Sequence, residues 1–178
     1  MTPLEQQVLD YLASHNVVTL ATQGTAGLWA TAVFYVNDQF NLTFLSAPHT
    51  RHSRNIAETG WVAATIQAEY HEWEAIRGIQ LEGRCGLIEG EERETAVSLY
   101  ASKFPIIGPH APPQIAQALD KIGWYKLTPT RLYFINNSLG LGHRDELRIG
   151  NEKLGMENDH PVLNSPFSIP HSQFPTIS

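Results

Sequence analysis

The densest group of cations and hydroxyls in this chain is the run Thr50-Arg51-His52-Ser53-Arg54-Asn55. It follows a β-rich stretch and Pro48, at a point where a helix would start. A helix start leaves backbone N–H groups without intrahelical partners and carries the positive end of the dipole. An arginine fork grips two oxygens of one anion, and Thr50 and Ser53 add hydroxyl donors. The chemistry assembled here is a cradle for a small anion, a phosphate in particular. The competing reading is a solvated helix face with an N-cap threonine.

Two further segments bear on chemistry. In Leu28-Trp29-Ala30-Thr31-Ala32-Val33-Phe34, alanines bracket Trp29 and Thr31. A strand with such small side chains lets a flat ring approach its backbone, and the ordinary alternative is a core strand. In Ile76-Arg77-Gly78-Ile79-Gln80-Leu81-Glu82-Gly83, Arg77 beside Gly78 could aim a cation over bare backbone, or could be an edge arginine next to a bulge. Other signatures fail. No glycine-rich nucleotide loop and no serine-hydrolase elbow is present. His71-Glu72 lacks the second histidine of a zinc-protease helix. His49 and His52 lack a carboxylate or thiol to complete a metal set, so they are expected to be solvated or to face the phosphate, and no metal is expected.

The elements that must position these residues read as follows. Leu4, Val8, Tyr11 and Leu12 share one face of a helix over 3–14 that starts at Pro3. Val17–Thr22 is a β-branched strand. The run 23–27 is a turn, and Leu28–Val36, apolar on both faces, is expected to be a buried strand. Phe40, Leu42 and Phe44 alternate with Asn41 and Thr43 as a half-buried strand. Arg51–Glu58 is a short helix and Trp61–Gln67 a strand. Ala75–Glu89 is a long strand whose Gly83 and Gly86 mark bulges or bends where a sheet curls. Glu91–Phe104 is a helix with Val97, Tyr100, Ala101 and Phe104 inward, and Gln114–Ile122 a second short one. Trp124–Leu127 and Arg131–Ile135 are two strands around a Thr128-Pro129 turn. Six or seven strands, mostly in meander order, predict a mainly β fold, an antiparallel barrel with peripheral helices.

Composition bounds the function. The chain has 178 residues, and twelve Lys plus Arg against eighteen Asp plus Glu give a net charge of −6. That balance argues against nucleic acid, whose partners displace counterions with basic surfaces. Cys85 is the single cysteine, which excludes an intrachain disulfide and fits a reducing cytoplasm. Residues 11–37 contain no Asp, Glu, Lys or Arg, but His15, Asn16, Gln23 and the glycine turn suit two strands better than a membrane span. No membrane association is expected. Residues 1–150 are expected to form one domain. Residues 151–178, with four prolines and four serines, form a C-terminal extension. Its Val162, Leu163, Phe167, Ile169, Phe174 and Ile177 leave two readings open, a frayed tail or a strap around a partner subunit.

The order Phe34-Tyr35, Phe44-Leu45-Ser46, Thr50-Arg51-His52 and Ile76-Arg77-Gly78-Ile79-Gln80-Leu81-Glu82-Gly83 resembles the FMN-binding split-barrel superfamily, the fold of pyridoxamine 5′-phosphate oxidase. Within it, the chain resembles small bacterial YhbP-like proteins in Leu28-Trp29, Phe34-Tyr35, Thr50-Arg51-His52, Ile76-Arg77-Gly78 and Asn137-Ser138-Leu139-Gly140-Leu141-Gly142, over roughly residues 5–145. The resemblance implies a homodimer with FMN between subunits and a flavin-dependent oxidoreductase acting on an unknown small molecule. It implies that Thr50, Arg51 and His52 hold the phosphate, with His52 where many relatives have lysine. Trp29, Ala30, Thr31, Ala32 and Val33 would lie along the flavin, Leu45 and Ser46 beside the ribityl chain, and Arg77 and Gly78 near the ring. The true oxidases carry an Arg-x-His pair near the C-terminus. Here His143 and Arg144 are adjacent, which argues against pyridoxal phosphate synthesis. Relatives also include heme-binding proteins, so a flavin- or heme-binding sensor or carrier without turnover is the second function class.

Overall fold

The structure, a computed structural model, describes residues 1–107, 112–119 and 121–149. Helix α1 (Pro3–Ser14) starts with a capping box: Glu5 N–H donates to the Thr2 hydroxyl at 3.2 Å, and Thr2 N–H donates to the Glu5 carboxylate at 2.6 Å. Its Val8 and Leu12 are fully buried in the main core. Strands β1 (Val17–Gly24), β2 (Gly27–Asp38) and β3 (Asn41–Ser46) follow as a meander. Helix α2 (Arg51–Thr59) leads to β4 (Trp61–Gln67), β5 (Arg77–Leu87) and α3 (Gly90–Lys103). The described chain closes with α4 (Pro113–Leu119), β6 (Gly123–Asn136) and β7 (Arg144–Arg148).

All pairings given above and below are antiparallel. The sheet order is β3-β2-β1-β4-β5-β6-β7, and β3 also pairs with β6, so six strands close into a barrel and β7 adds to its edge. The expected antiparallel split barrel is therefore the observed fold. Inward residues of alternating strands, among them Val18, Leu20, Ile66, Ile79, Leu127 and Leu132, fill the barrel. A second cluster of Val36, Ile88, Ala96, Tyr100 and Trp124 lies under α3.

Several expectations need correction. Trp124–Leu127 and Arg131–Ile135 belong to one continuous strand, β6. Glu82 pairs with Arg131 and Gly83 with Pro129, so Thr130 is an extra residue bulged out of the ladder. Proline is tolerated there because the interrupted ladder has no N–H bond for it to make. Gly83 lets the bulge pack closely: a Cβ on it would lie 2.7 Å from Pro129 Cα and closer still to the Thr128 carbonyl oxygen. Gly86 sits in regular pairing with Lys126 and marks no bulge. In α3 Tyr100 is inward as expected and Phe104 packs against the same cluster, but Ala96 is buried there and Val97 lies on the exposed side. The first half of β2, expected to be buried, is exposed: Leu28 is 76% and Phe34 59% accessible. The extension after 150 lies outside the described residues.

The register explains the exposure of β2. Paired residues share a face, and successive residues alternate. Val17, Thr19, Ala21 and Gln23 of β1 therefore share the outer face with Phe34, Ala32, Ala30 and Leu28 of β2. Trp61, Ala63 and Thr65 of β4 continue it. Small and apolar residues thus cover the outside of three adjacent strands.

Candidate functional site

Helix α2 carries the predicted cradle, and its start is fixed by Thr50. The Thr50 hydroxyl caps the helix by accepting from Ser53 N–H, and Gly60 ends the helix in the left-handed region at φ 66°. Only one apolar residue, Ile56, is on the buried side; the others are His52, Ser53 and Asn55. The helix is therefore held to β1 by polar contacts. Asn55 Nδ2 donates to the Thr22 hydroxyl at 3.1 Å, and that hydroxyl donates to the Trp29 carbonyl at 3.3 Å. Glu58 accepts from Thr25 N–H at 2.7 Å and from the Thr25 hydroxyl at 3.3 Å.

Arg51 reaches across to the same β1–β2 turn. Its Nη2 donates to the carbonyls of Ala26 and Leu28, and the guanidinium lies over the Trp29 ring. Its Nε is buried and has no hydrogen-bond partner. Arg54, one turn on, is exposed.

His52 turns inward. It is 8% exposed, and its Nε2 lies 2.5 Å from the Ser46 hydroxyl and 3.2 Å from the Thr50 hydroxyl. Ser53 completes the cluster, 3.0 Å from Ser46 and 2.8 Å from Thr50. Burial holds the imidazole below its ordinary value, so at neutral pH it is uncharged. Of the two expectations for His52, the solvated one is corrected accordingly. Its ring sits behind the cradle among hydroxyls.

The first half of β2 runs from Arg51 along an open edge, because β3 pairs only with residues 35–38. In an antiparallel ladder, successive residues turn their backbone groups to opposite neighbours. The Leu28 carbonyl goes to Arg51 and the Phe34 carbonyl to the Tyr100 hydroxyl at 2.5 Å, both away from β1. Ala30 and Ala32 have the same parity, so their backbone N–H and C=O groups face the open edge between those two anchors. Thr31 and Val33 lie on the other face of β2, half-buried, with Trp29 43% exposed beside Arg51. Ser46 ends β3 within the hydroxyl cluster, and Leu45 precedes it, half-buried.

Arg77 and Gly78 are elsewhere in the molecule. They open β5 beside Gln67, whereas the cradle lies at the end where Trp61 pairs with Arg84. At the strand rise of roughly 3.3 Å per residue, the two ends are on the order of 20 Å apart. Arg77 Nη1 donates to the carbonyls of Glu74 and Ala75 at 3.1 Å and of Ile76 at 3.3 Å, pinning the 3-10 turn at Trp73–Ala75. Gly78 is buried, and a Cβ there would lie 3.3 Å from the Ile66 carbonyl oxygen.

The structure therefore brings Trp29, Ser46, Thr50, Arg51 and His52 together, with Ala30–Val33 and Leu45 adjoining. Sequence reasoning missed Glu58, which ties α2 to the β1–β2 turn, and gave Asn55 no role of its own within the cationic run, whereas it bonds Thr22 of β1. Their spacing from Arg51 places both on a helical face, but nothing in the sequence names Thr25 or Thr22 as their targets. Cys85 is buried, and its surroundings push the thiol up to about 12, so it is no nucleophile. Among the described residues, no three His, Cys, Asp or Glu side chains gather as a metal set.

Comparison with known proteins agrees with this architecture. UPF0306 protein YhbP from Escherichia coli O157:H7 is 30% identical over 136 residues, covering 75% of this chain and 86% of its own length. Two solved structures share the fold. The heme binding protein from Mycobacterium smegmatis has a TM-score of 0.66 at 23% identity, with 83% of this chain and 59% of that one covered. HutZ, the heme storage protein from Vibrio cholerae, has a TM-score of 0.63 at 18% identity, with 80% and 100% covered. The family model described as Pyridoxamine 5'-phosphate oxidase matches residues 4–136, and the chain belongs to that family.

Proposed function

We propose that this chain binds FMN and serves as a flavin-dependent oxidoreductase for a small molecule. The observation that carries the reading is Arg51, whose buried Nε has no partner at the start of α2, beside the open backbone edge of β2. An orphaned guanidinium nitrogen is what an anionic ligand terminus would satisfy. Thr50, Arg51 and the first N–H groups of α2 would hold the phosphate. Ala30 and Ala32 would offer backbone donors and acceptors to the edge of a flat ring, and Trp29 and Ser46 would flank it. Bound FMN would supply hydride or electron transfer. The chain's own part is to orient the ligand and to exclude water.

The same reading includes a homodimer. The outer face of β2, β1 and β4 exposes Leu28, Phe34 and Trp61 around the small residues Ala21, Ala30, Ala32 and Ala63. An apolar face of this kind marks an interaction surface, and a second copy covers it with a self-complementary contact. Arg77 and Gly78, far from the cradle in one protomer, could reach a shared ligand only from a second subunit. The reducing cytoplasm is the compartment that suits the single buried thiol.

Purified protein is expected to be yellow with flavin absorbance bands, or to quench the fluorescence of added FMN. Denaturation should release a molecule of FMN mass. Colourless protein that ignores FMN overturns the reading. Heme is the second ligand to test, because the Mycobacterium smegmatis heme binding protein shares the fold. A Soret band with FMN excluded would move the function to heme binding without turnover.

A further inference from the structure

His52 has a role beyond filling space behind the cradle. Its Nε2 is 2.5 Å from Ser46 Oγ, and Ser46 Oγ is 3.0 Å from both Thr50 Oγ1 and Ser53 Oγ. Thr50 Oγ1 is also 2.9 Å from the Ala47 carbonyl. With one hydrogen per hydroxyl, a consistent pattern follows when Nε2 carries no proton. Thr50 donates to Ala47, Ser53 donates to Ser46, and Ser46 donates to His52. Every hydroxyl hydrogen is then spent inward.

A proton on Nε2 reverses this pattern. His52 must then donate to Ser46, and Ser46 must turn its hydrogen to Thr50 or Ser53. Where Ser46 turns to Ser53, the Ser53 hydrogen is freed, and a ring that already carries its proton on Nδ1 becomes an imidazolium, a positive charge one residue from Arg51.

We propose that His52 is a protonation-controlled specificity residue of the anion site, tightening its hold on a dianionic terminus such as a phosphate or sulfate when Nε2 is protonated. The inference rests on the anion site in the proposed function and names how that site is tuned. Among the described residues, His49 is the other imidazole near this helix start, exposed one residue before the Thr50 cap, and the remaining ionisable groups on the elements around α2 are distant or committed elsewhere. Strands β1, β3 and β4 contain no ionisable residue, and β2 has only Tyr35 and Asp38. Tyr35 is committed to the Leu12 carbonyl at 2.8 Å, and Asp38 ends β2 at the β2–β3 turn, where it pairs with Asn41. On β5, Arg84 stacks on Trp61, Glu82 pairs with Arg131, and Arg77 is pinned at the far end. On α2 itself, Arg51 and Glu58 are bound to the β1–β2 turn and Arg54 is exposed.

Sulfate is the probe, because it remains a dianion across the range in which histidine titrates. Its binding is read from backbone amide shifts in the first turn of α2, on the full chain, at about pH 5 and about pH 8. The wild type should bind sulfate about tenfold more tightly at the lower pH, the effect of one added charge at close range. With His49→Gln in every protein compared, so that the exposed neighbour of the Thr50 cap adds nothing, His52→Gln should lose that dependence, and His52→Lys should bind tightly at both values. A wild type with no pH dependence, or a His52→Gln variant that keeps it, overturns the proposal. FMN binding is measured in parallel. Sulfate behaviour as expected without FMN binding would retain the histidine's role and reject the flavin. FMN binding with pH-independent sulfate affinity would do the reverse.

Discussion

The guanidinium carbon of Arg51 lies 4.9 Å from the centroid of the Trp29 ring, while its Nη2 holds the carbonyl of Leu28, the residue before that tryptophan. One side chain thus joins the start of α2 to the turn and first strand residues along the proposed ligand edge. A cation over an aromatic face contributes about 0.5–1 kcal/mol at an exposed site. The value of Arg51 is therefore chiefly positional.

Replacing Arg51 with alanine should weaken FMN binding by about tenfold or more, since charge-assisted phosphate bonds contribute about 1.5–3 kcal/mol. The fold should survive, with a stability loss of about 1 kcal/mol, because the carbonyls of Ala26 and Leu28 lie at an exposed turn and can turn to water. Arg51→Lys should recover only part of the affinity: an ammonium keeps the charge but cannot span both carbonyls and the ligand. Fluorescence titration and thermal unfolding of the three proteins check this. Full affinity in Arg51→Ala would place the cradle elsewhere.

Gly83 and Gly86 occupy the same strand and should respond oppositely to alanine. A Cβ at Gly83 would overlap the Thr128 carbonyl and approach Pro129 Cα to 2.7 Å, both backbone atoms inside the barrel ladder. Overpacking of that kind costs about 1–3 kcal/mol, and backbone has little room to yield. At Gly86 a Cβ meets nothing within 4 Å. Gly86→Ala should be neutral or stabilising by about 0.5 kcal/mol through the unfolded chain. Urea unfolding of the two variants separates the outcomes.

That bulge also shows where the sequence could be read and where it could not. In β5 alternation turns Ile79, Leu81, Gly83 and Cys85 inward as the sequence pattern suggests, although Leu87 at its end is exposed, and α1 follows from Pro3 and its apolar stripe. Pro129 looked like the centre of a turn because a proline usually ends a strand. Only the pairing with Gly83 shows that the ladder skips a residue there. Leu28–Phe34 is largely apolar on both faces, so its composition could not distinguish a buried strand from the exposed one observed. For α2 the difficulty is the reverse. His52, Ser53 and Asn55 form most of its buried side. Apolar periodicity is blind to a helix attached by hydroxyls and an amide, so the cradle was legible as residues but not as an orientation.

The outer face provides a test of assembly independent of the ligand. Ala21 is exposed near the middle of that face, paired with Ala30 on one side and Ala63 on the other. Ala21→Arg places a long charged side chain among small neighbours without touching the core. Burying an unpaired charge costs several kcal/mol, enough to open most dimers of modest area. Sedimentation velocity should show a dimer for the wild type and a monomer for the variant, with flavin lost along with the second subunit. A wild type that sediments as a monomer would remove the homodimer from the proposal. A variant that stays dimeric would move the interface off this face.

His52 also leaves a signature in stability without any ligand. Burial lowers its pKa in the folded protein from the ordinary 6.5, while the unfolded chain keeps the ordinary value. Above that value both states are neutral and the histidine imposes no pH dependence. As pH falls below it, the unfolded chain takes up a proton that the folded chain resists, and the balance shifts toward unfolding. The decline continues until pH reaches the lowered folded value, where both states are protonated. Wild type should therefore lose stability relative to His52→Gln as the pH falls from 6.5, and the two should run parallel above it. Other histidines contribute equally to both proteins, so the difference between their urea midpoints isolates this residue. Addition of sulfate should narrow that difference at low pH, because an anion at the start of α2 favours the protonated ring in the folded state. A difference that sulfate leaves unchanged would mean that the buried imidazole titrates without sensing the cradle.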